Sequence, residues 1–282
     1  MPKIGVQMFM FKDVITEIGP YETLKKFHEL GFSSVEVSKV PMTAENISEL
    51  KKASEDFNIE ISAMSAAVDP QFPGGESLST DFDKIVADCK TLGCKFLRIG
   101  ILPFTYLGSE EKSIKFAKEC DKYAEMLDKH GIKLYYHNHH CEFIKYDGKY
   151  LLDLIKENTS KLGFEIDVFW VQRGGENPVK IIREYKGRVD LVHLKDYQIV
   201  EPDFGDIDIT NTSEAFKAFN DTVRFAEVGD GSLDFTEIVK AAVDADVKYL
   251  FIEQDDTYGR DPFKCLEKSK EYLIKLGFGN ML

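Results

Sequence analysis

The sequence predicts an α/β protein with a single (β/α)8 barrel, the TIM-barrel arrangement, over residues 1–282. Short apolar segments rich in Val, Ile, Phe or Tyr alternate with amphipathic helical segments along the whole chain, as expected for strands that are buried on both faces. Eight such pairs are present, which is the number that closes a parallel barrel. No Pro- or Ser-rich linker interrupts them, and barrels of this length are ordinary as one domain.

These periods predict eight strands and eight helices. The strands are residues 4–9, 34–38, 59–65, 96–99, 134–138, 163–168, 191–195 and 249–254. The helices are residues 20–30, 43–57, 81–92, 109–130, 150–157, 178–185, 235–244 and 263–276. Thr43 is a suitable N-cap for the second helix. Long loops are expected after strands three and seven, over residues 66–80 and 197–232, at the end of the barrel where loops often act as lids.

The composition limits the class of protein. A net charge of −13 and a pI near 5.0 disfavour nucleic acid as a partner, because that affinity depends on Lys and Arg neutralising phosphates. A mean hydropathy of −0.25 and the lack of a long apolar run disfavour a membrane protein. Five cysteines without a Cys-x-x-Cys spacing indicate reduced thiols. We expect a cytoplasmic protein that binds a small substrate, and the oligomeric state, including a homo-oligomer, stays open.

Polar residues recur near the C-terminal ends of the predicted strands, which form the face where barrel enzymes place their active sites. These residues are Glu36, His137, His139, Glu142, Asp167, His193, Lys195 and Glu253. Asp, Glu and His are costly inside apolar strands unless they are paired or coordinated. Two or three carboxylates with a histidine are typical ligands of Mn²⁺, Co²⁺ or Zn²⁺. We therefore expect one divalent metal ion at this mouth.

Several segments together resemble the xylose isomerase-like barrel superfamily of sugar isomerases and epimerases, which also includes inosose dehydratase and endonuclease IV. The segments are Tyr136-His-Asn-His139 with Glu142, Asp167-Val-Phe-Trp170, His193-Leu-Lys-Asp196, Glu227-Val-Gly-Asp-Gly231 before Leu233, and Glu253. The resemblance covers essentially the whole chain and is closest to the branch of sugar phosphate isomerases and epimerases. It implies that the metal is bound by Glu142, Asp167, His193 and Glu253.

The strand-five ligand stays open between alternatives. Many members of the superfamily carry this glutamate inside the strand, where the present chain has Tyr136 or His137. Either Glu142 folds back over the mouth, which is the favoured interpretation, or His137 or His139 replaces it. The endonuclease branch has a histidine three residues after the strand-six aspartate. Trp170 occupies that place here, which argues against a trinuclear zinc nuclease.

The resemblance implies a metal-dependent isomerase or epimerase of a small sugar or polyol-derived carbonyl compound. Glu142 or Glu253 would remove the proton next to the carbonyl, and the other of the two, across the bound substrate, would return it. Lys195 would stabilise the enediolate. Substrate contacts are expected from His137, His139, Trp170, Glu36 and Glu227. Two alternatives remain: a dehydratase of the inosose type, which shares the first half-reaction, and a sugar-binding barrel without turnover.

Overall fold

The computed structural model describes residues 1–205, 207 and 210–282. Eight parallel strands pair in chain order, and the last pairs with the first to close a barrel. The strands are β1 Lys3–Gln7, β2 Ser34–Val37, β3 Glu60–Ala66, β4 Phe96–Ile99, β5 Lys133–His137, β6 Gly163–Asp167, β7 Val189–Leu194 and β8 Tyr249–Ile252. The predicted fold class is confirmed, and each predicted strand end lies within two residues of the observed one.

Helices follow the strands and cover the outside of the barrel. They are α1 Lys12–Glu29, α2 Ala44–Phe57, α3 Phe82–Leu92, α4 Glu110–Asp128, α5 Leu151–Glu157, α6 Val168–Arg173, α7 Pro178–Glu184, α8 Thr212–Asn220, α9 Phe235–Asp244 and α10 Pro262–Lys275. The side chain of Thr43 caps α2 by accepting the Asn46 N–H at 3.2 Å, as predicted. α1 begins earlier than predicted because Gly19, with φ of +80°, joins two helical segments, and the predicted start at Pro20 is that of the second.

Two features lie outside the regular alternation. α6 and α8 are absent from the predicted set: α6 directly follows β6, and α8 lies in the segment that was predicted as a long loop. Two short antiparallel ribbons pair Lys145–Tyr146 with Lys149–Tyr150 and Asp196–Ile199 with Val223–Ala226. The second ribbon and α8 lie within the long loop predicted after strand seven, of which residues 206, 208 and 209 lie outside the described residues.

The barrel interior changes from apolar to charged along its axis. Ala63, Tyr135, Leu191 and Phe251 form a small buried cluster inside it. Because side chains on a strand alternate, His137 shares the inward face with Tyr135. The apolar cluster therefore closes the barrel beneath the C-terminal ends of the strands. Charged side chains above it are shielded from water on that side, which strengthens their electrostatic interactions.

Asp196 holds the base of the long loop after β7. Its buried carboxylate accepts the N–H groups of Gly229, Gly231 and Ser232, each at 3.0 Å, as well as that of Leu233 at 3.2 Å. A Cβ on Gly231 would lie 2.4 Å from this carboxylate. The glycine is therefore required for the close approach of the loop to Asp196.

We expect Asp196→Ala to lower the free energy of unfolding by about 2 kcal/mol or more, because several backbone N–H groups lose their acceptor at once. Asp203→Ala is the matched control, since the exposed Asp203 accepts one N–H, that of Gly205 at 2.9 Å, in the same loop. Denaturant unfolding of both variants measures the difference. Equal stability of the two would show that the loop does not depend on Asp196.

Candidate metal centre

Four buried side chains converge at the mouth of the barrel from four neighbouring strands. His137 ends β5, Asp167 ends β6, His193 lies on β7, and Glu253 directly follows β8. One ligand atom from each lies within 4.8 Å of the other three. The Nε2 atom of His137 is 3.5 Å from Oδ2 of Asp167, and Nδ1 of His193 is 2.8 Å from Oε2 of Glu253. We call these four residues the mouth cluster.

The ligand atoms of the mouth cluster make no well-formed hydrogen bond. Within the described part of the chain this holds for Nε2 of His137, Oδ2 of Asp167, Nδ1 of His193 and Oε2 of Glu253, all of which are buried. Their contacts are ion pairs: Oε2 of Glu253 lies 2.8 Å from Nδ1 of His193, and both carboxylates lie near Nζ of Lys195. Buried polar atoms are rarely left in this state, because each one costs free energy. Four such atoms that converge on one point suit a metal site. Two carboxylates with two imidazoles are a typical ligand set for a divalent transition metal.

Contacts behind the two histidines fix which nitrogen faces the cluster. Nε2 of His193 lies 3.3 Å from a carboxylate oxygen of Glu36 and 3.2 Å from one of Glu165. Nδ1 of His137 lies 3.3 Å from the carbonyl oxygen of Gly100. Metal-binding histidines normally donate their other N–H to such acceptors. Nδ1 of His193 and Nε2 of His137 therefore face the cluster. Burial lowers the pKa of His193, but the carboxylates of Glu165, Glu253 and Glu36 outweigh burial and raise it, so a metal ion would displace a proton from Nδ1.

Asp167 is oriented by the turn from β6 into α6. Its Oδ1 accepts the N–H of Trp170 at 2.9 Å and caps the helix, while its own N–H donates to Oδ1 of Asn138 at 3.0 Å. Both bonds hold the residue at the strand end and leave Oδ2 free for the cluster. The Asp167-Val-Phe-Trp170 segment thus combines a helix cap with a candidate ligand.

Negative charge exceeds fixed positive charge around the cluster. The carboxyl groups are those of Glu36, Glu165, Asp167, Glu253 and Asp255, and the fixed cations are Arg98 and Lys195. Burial raises the pKa of Glu165 to about 8, and the charge of Glu36 adds to this effect, so Glu165 is largely protonated near neutral pH and the negative charge lies on the other carboxylates. Burial lowers the pKa of His137 to about 4, so this imidazole stays neutral and able to bind a metal. A divalent cation would offset the remaining surplus.

Lys195 extends from the end of β7 into this acidic surrounding. Its Nζ is 2.9 Å from Oε2 of Glu253, 2.8 Å from Oδ1 of Asp255 and 3.3 Å from Oδ2 of Asp167. The ring of Trp170 lies beneath the ammonium group at 5.3 Å. Burial opposes the charge, but the three carboxylates outweigh it and raise the pKa of Lys195. Lys195 is therefore a fixed cation with N–H groups to donate.

A cavity of about 660 Å³ opens onto the cluster, a size typical of small-molecule sites. On the β5 to β8 side its wall includes His137, His139, Lys195, Glu253 and Asp255. The loops after β2 and β3 form the opposite rim. The predicted loop over residues 66–80 thus borders the cavity, as its position after a strand end implied.

The structure does not bring Glu142 into the mouth cluster. Its buried carboxylate accepts the N–H of His139 at 2.8 Å and the hydroxyl of Tyr136, whose ring packs against Phe116 of α4. Tyr136 points out of the barrel because it alternates with the inward-facing His137, and the 3-10 turn Cys141–Phe143 follows that side. The side chains that converge thus include His137, the alternative that the sequence left open, and not the predicted Glu142.

Three further predicted residues lie near the site without lining the cavity. Trp170 packs against the ring of His139 at 5.1 Å and makes a cation–π contact with Lys195. Glu36 lies beneath the cluster. Glu227 is paired with Arg260 at 2.6 Å and does not reach the mouth cluster. Of the predicted substrate contacts, His137 and His139 line the cavity.

Two site residues, Glu165 and Asp255, were outside the predicted set. Glu165 stands two positions before Asp167 and shares its face of β6, whereas Asp255 stands two positions after Glu253, beyond the end of β8. The two-residue period of the strand would have found Glu165, but it does not extend to Asp255.

Residues 24–276 match the xylose isomerase-like TIM barrel family. The chain belongs to this family. It is 28% identical to an inosose dehydratase from Clostridium botulinum over 175 residues, which are 60% of this chain and 56% of that protein. It is 25% identical to an inosose dehydratase from Clostridium perfringens over 239 residues, covering 82% of this chain and 72% of that protein. The chain thus spans little more than half the length of the first of these relatives.

The fold has a close counterpart among solved structures. A sugar phosphate isomerase/epimerase from Parabacteroides distasonis superimposes with a TM-score of 0.75 and 21% identity, covering 98% of this chain and 99% of that one. This likeness shows the fold. No helix in the described part of the chain is both long enough and apolar enough to cross a membrane.

We expect the purified protein to carry about one equivalent of a divalent metal ion that EDTA removes. Binding to the folded form raises stability by an amount that grows with the ratio of free ion to Kd, so the Tm should fall on removal and recover on addition of Mn²⁺, Co²⁺ or Zn²⁺. Elemental analysis and thermal unfolding provide the two measurements. A protein without metal whose Tm no divalent ion changes would contradict the assignment.

We expect His137→Ala to lose most of its bound metal, because the cluster loses one of four ligand atoms. Glu142→Gln is the control, since it keeps the size of a side chain that lies outside the cluster and should retain the metal. Metal content per folded protein is compared after identical dialysis. Loss of metal in Glu142→Gln with retention in His137→Ala would restore Glu142 as the ligand.

Proposed function

We propose that this protein is a divalent-metal-dependent isomerase of a small sugar or polyol-derived carbonyl compound that works through an enediolate. The observation that carries the proposal is the mouth cluster, whose four buried ligand atoms meet at the edge of a substrate-sized cavity. Membership of the xylose isomerase-like family supports it. His137, Asp167, His193 and Glu253 would hold the ion, which when bound would polarise a substrate carbonyl and acidify the neighbouring C–H.

The side chains that can move or stabilise charge lie on one side of the cavity. Glu253 and Asp255 line it, and Nζ of Lys195 lies between them at 2.9 and 2.8 Å. Glu253 would accept the proton from carbon, as a base must lie within reach of that proton. Lys195 would donate a hydrogen bond to the substrate oxygen on which negative charge develops, and as a buried ammonium it needs little reorganisation to do so.

The position of Glu142 bears on the type of reaction. Epimerisation by two bases needs acid–base groups on opposite faces of the substrate, whereas isomerisation can move one proton on one face. Among the described residues that line the cavity, the carboxylate beyond Glu253 and Asp255 is Glu76, which is exposed and paired with Lys84 at 2.5 Å. With Glu142 turned outward, the geometry favours proton transfer on one face.

Dehydration of the inosose type is a second candidate function, because both curated relatives described above are named inosose dehydratases. It requires the same proton removal, followed by loss of a hydroxyl group from the neighbouring carbon. Glu253 could then pass the proton that it took from carbon to that hydroxyl, which would leave as water from the same side of the cavity, while Lys195 donates a hydrogen bond. One-face geometry is compatible with this reaction as well.

We expect the protein to exchange a substrate C–H with solvent deuterium when it is incubated in D₂O with inosose and with a panel of ketoses and aldoses. The product of an isomerase carries deuterium and otherwise has the same elemental composition as the substrate, whereas the product of a dehydratase has lost one water molecule. Mass spectrometry separates the two outcomes. Absence of exchange and of product from every carbonyl compound would favour the sugar-binding barrel without turnover.

On any substrate found, we expect Glu253→Gln to lower kcat by about 10²-fold or more, since it removes the candidate base. Glu176→Gln is the matched control, because Glu176 bonds to the Tyr150 hydroxyl at 2.7 Å away from the cavity. Metal content is measured in both variants, so that loss of the ion is separated from loss of the base. Full activity in Glu253→Gln would assign the residue a structural role.

A further inference from the structure

The wall of the cavity opposite the mouth cluster carries buried hydrogen-bond donors. Gln7, at the end of β1, is completely buried, and its Oε1 accepts the N–H of Phe9. Its Nε2 has no hydrogen-bond partner in the described residues, and neither has the buried Oγ of Ser65 on β3. Both residues line the cavity. An amide nitrogen can only donate, so Gln7 needs an acceptor that the described chain does not supply.

Arg98 on β4 completes this wall. Its side chain is almost fully buried, and Nε lies 2.6 Å from Oε1 of Glu36 and 3.2 Å from Oε2 of Glu165. Nη2 is 3.4 Å from Oγ of Ser38, and the residue lines the cavity. Because Nε makes the contacts to both carboxylates, this cavity-lining residue keeps further N–H groups on Nη1 and Nη2 that the carboxylates do not use.

Strand register places the three residues at one level of the barrel. Ser65 is the direct neighbour of Arg98 across β3 and β4, and Gln7 is that of Glu36 across β1 and β2. Since Arg98 is bonded to Glu36, the two neighbouring pairs are tied together. The donors therefore lie on β1, β3 and β4 and line the same cavity as His137 and Glu253 of the mouth cluster.

We propose that Gln7, Ser65 and Arg98 form a subsite that binds the hydroxyl oxygens of a neutral polyhydroxylated substrate at the end that does not react. The inference rests on the proposed function for the position of the reacting end, which would face the mouth cluster. A hydroxyl oxygen accepts hydrogen bonds from such donors and thereby removes the cost of leaving them unpaired.

The charge of this wall favours a neutral ligand over an anionic one. The guanidinium of Arg98 is already paired with the carboxylate of Glu36 at 2.6 Å, so it offers N–H groups with little unbalanced charge. Phosphate and carboxylate sites usually present cations that are free to pair with the ligand. Lys39 also lines the cavity but is exposed at its rim, which makes a phosphate ester the alternative to test.

The test measures binding of myo-inositol, a neutral cyclic polyol without a carbonyl group, by titration calorimetry with the full chain. Ser65→Ala removes one donor, and Gln7→Glu keeps the oxygen that caps Phe9 while replacing the donor group. We expect each to raise the Kd about tenfold, the effect of one hydrogen bond. Ser62→Ala is the control on the same strand, because Ser62 is buried against Oγ of Ser34 at 2.8 Å and does not line the cavity; its Kd should equal that of the wild type.

Three results would overturn the subsite: wild-type affinity in both Ser65→Ala and Gln7→Glu, tighter binding of an inositol monophosphate than of myo-inositol, or no binding of myo-inositol by the wild type. Metal content is measured in the same samples, and the titration is repeated after EDTA treatment. Weaker binding by Ser65→Ala in a protein that holds no metal would support the subsite while contradicting the proposed metal-dependent function.

Discussion

The arrangement of charged groups at the barrel mouth depends on the buried carboxylates at the ends of neighbouring strands. Desolvation makes each ionised group costly unless cations and donors surround it. Arg98 offsets Glu36 beneath the cluster, and Lys195 offsets Asp167 and Glu253 beside it. The ionised carboxylates still outnumber these two fixed cations, and a metal ion held by the mouth cluster would restore the balance.

The fixed register of the parallel strands brings the candidate ligands to one point at the mouth of the barrel. Asp167 is the direct neighbour of His193 across β6 and β7, and His193 is that of Phe251 across β7 and β8. Alternation then brings Glu253, two residues beyond Phe251, to the same inward face. A slip of one residue in any strand would turn its ligand outward. The apolar cluster below the mouth fixes this register by burying the residue two positions before each ligand on β5, β7 and β8.

The same periodicity decides how much of the structure the sequence could predict. The strands were found because each is a continuous apolar run, and Asp167 and His193 were found because they interrupt such runs. Glu142 lies five residues beyond the end of β5, where no period governs direction, so its orientation could not be inferred from spacing. His137 could have been chosen on the inward face, but resemblance to members with a strand-five glutamate favoured Glu142.

Because Glu142 lies outside the mouth cluster, the carboxylates are distributed around the cavity differently from the prediction. The predicted arrangement had carboxylates on both sides of the substrate, whereas the structure puts Glu253, Asp255 and Lys195 on one side and the donors of Gln7 and Ser65 on the other. A substrate held between them would expose one face to proton transfer and present its remaining hydroxyl groups to fixed donors. The position of Glu142 after β5 would thus confine proton transfer to the side of Glu253, and the donors on the other side would orient the substrate for it.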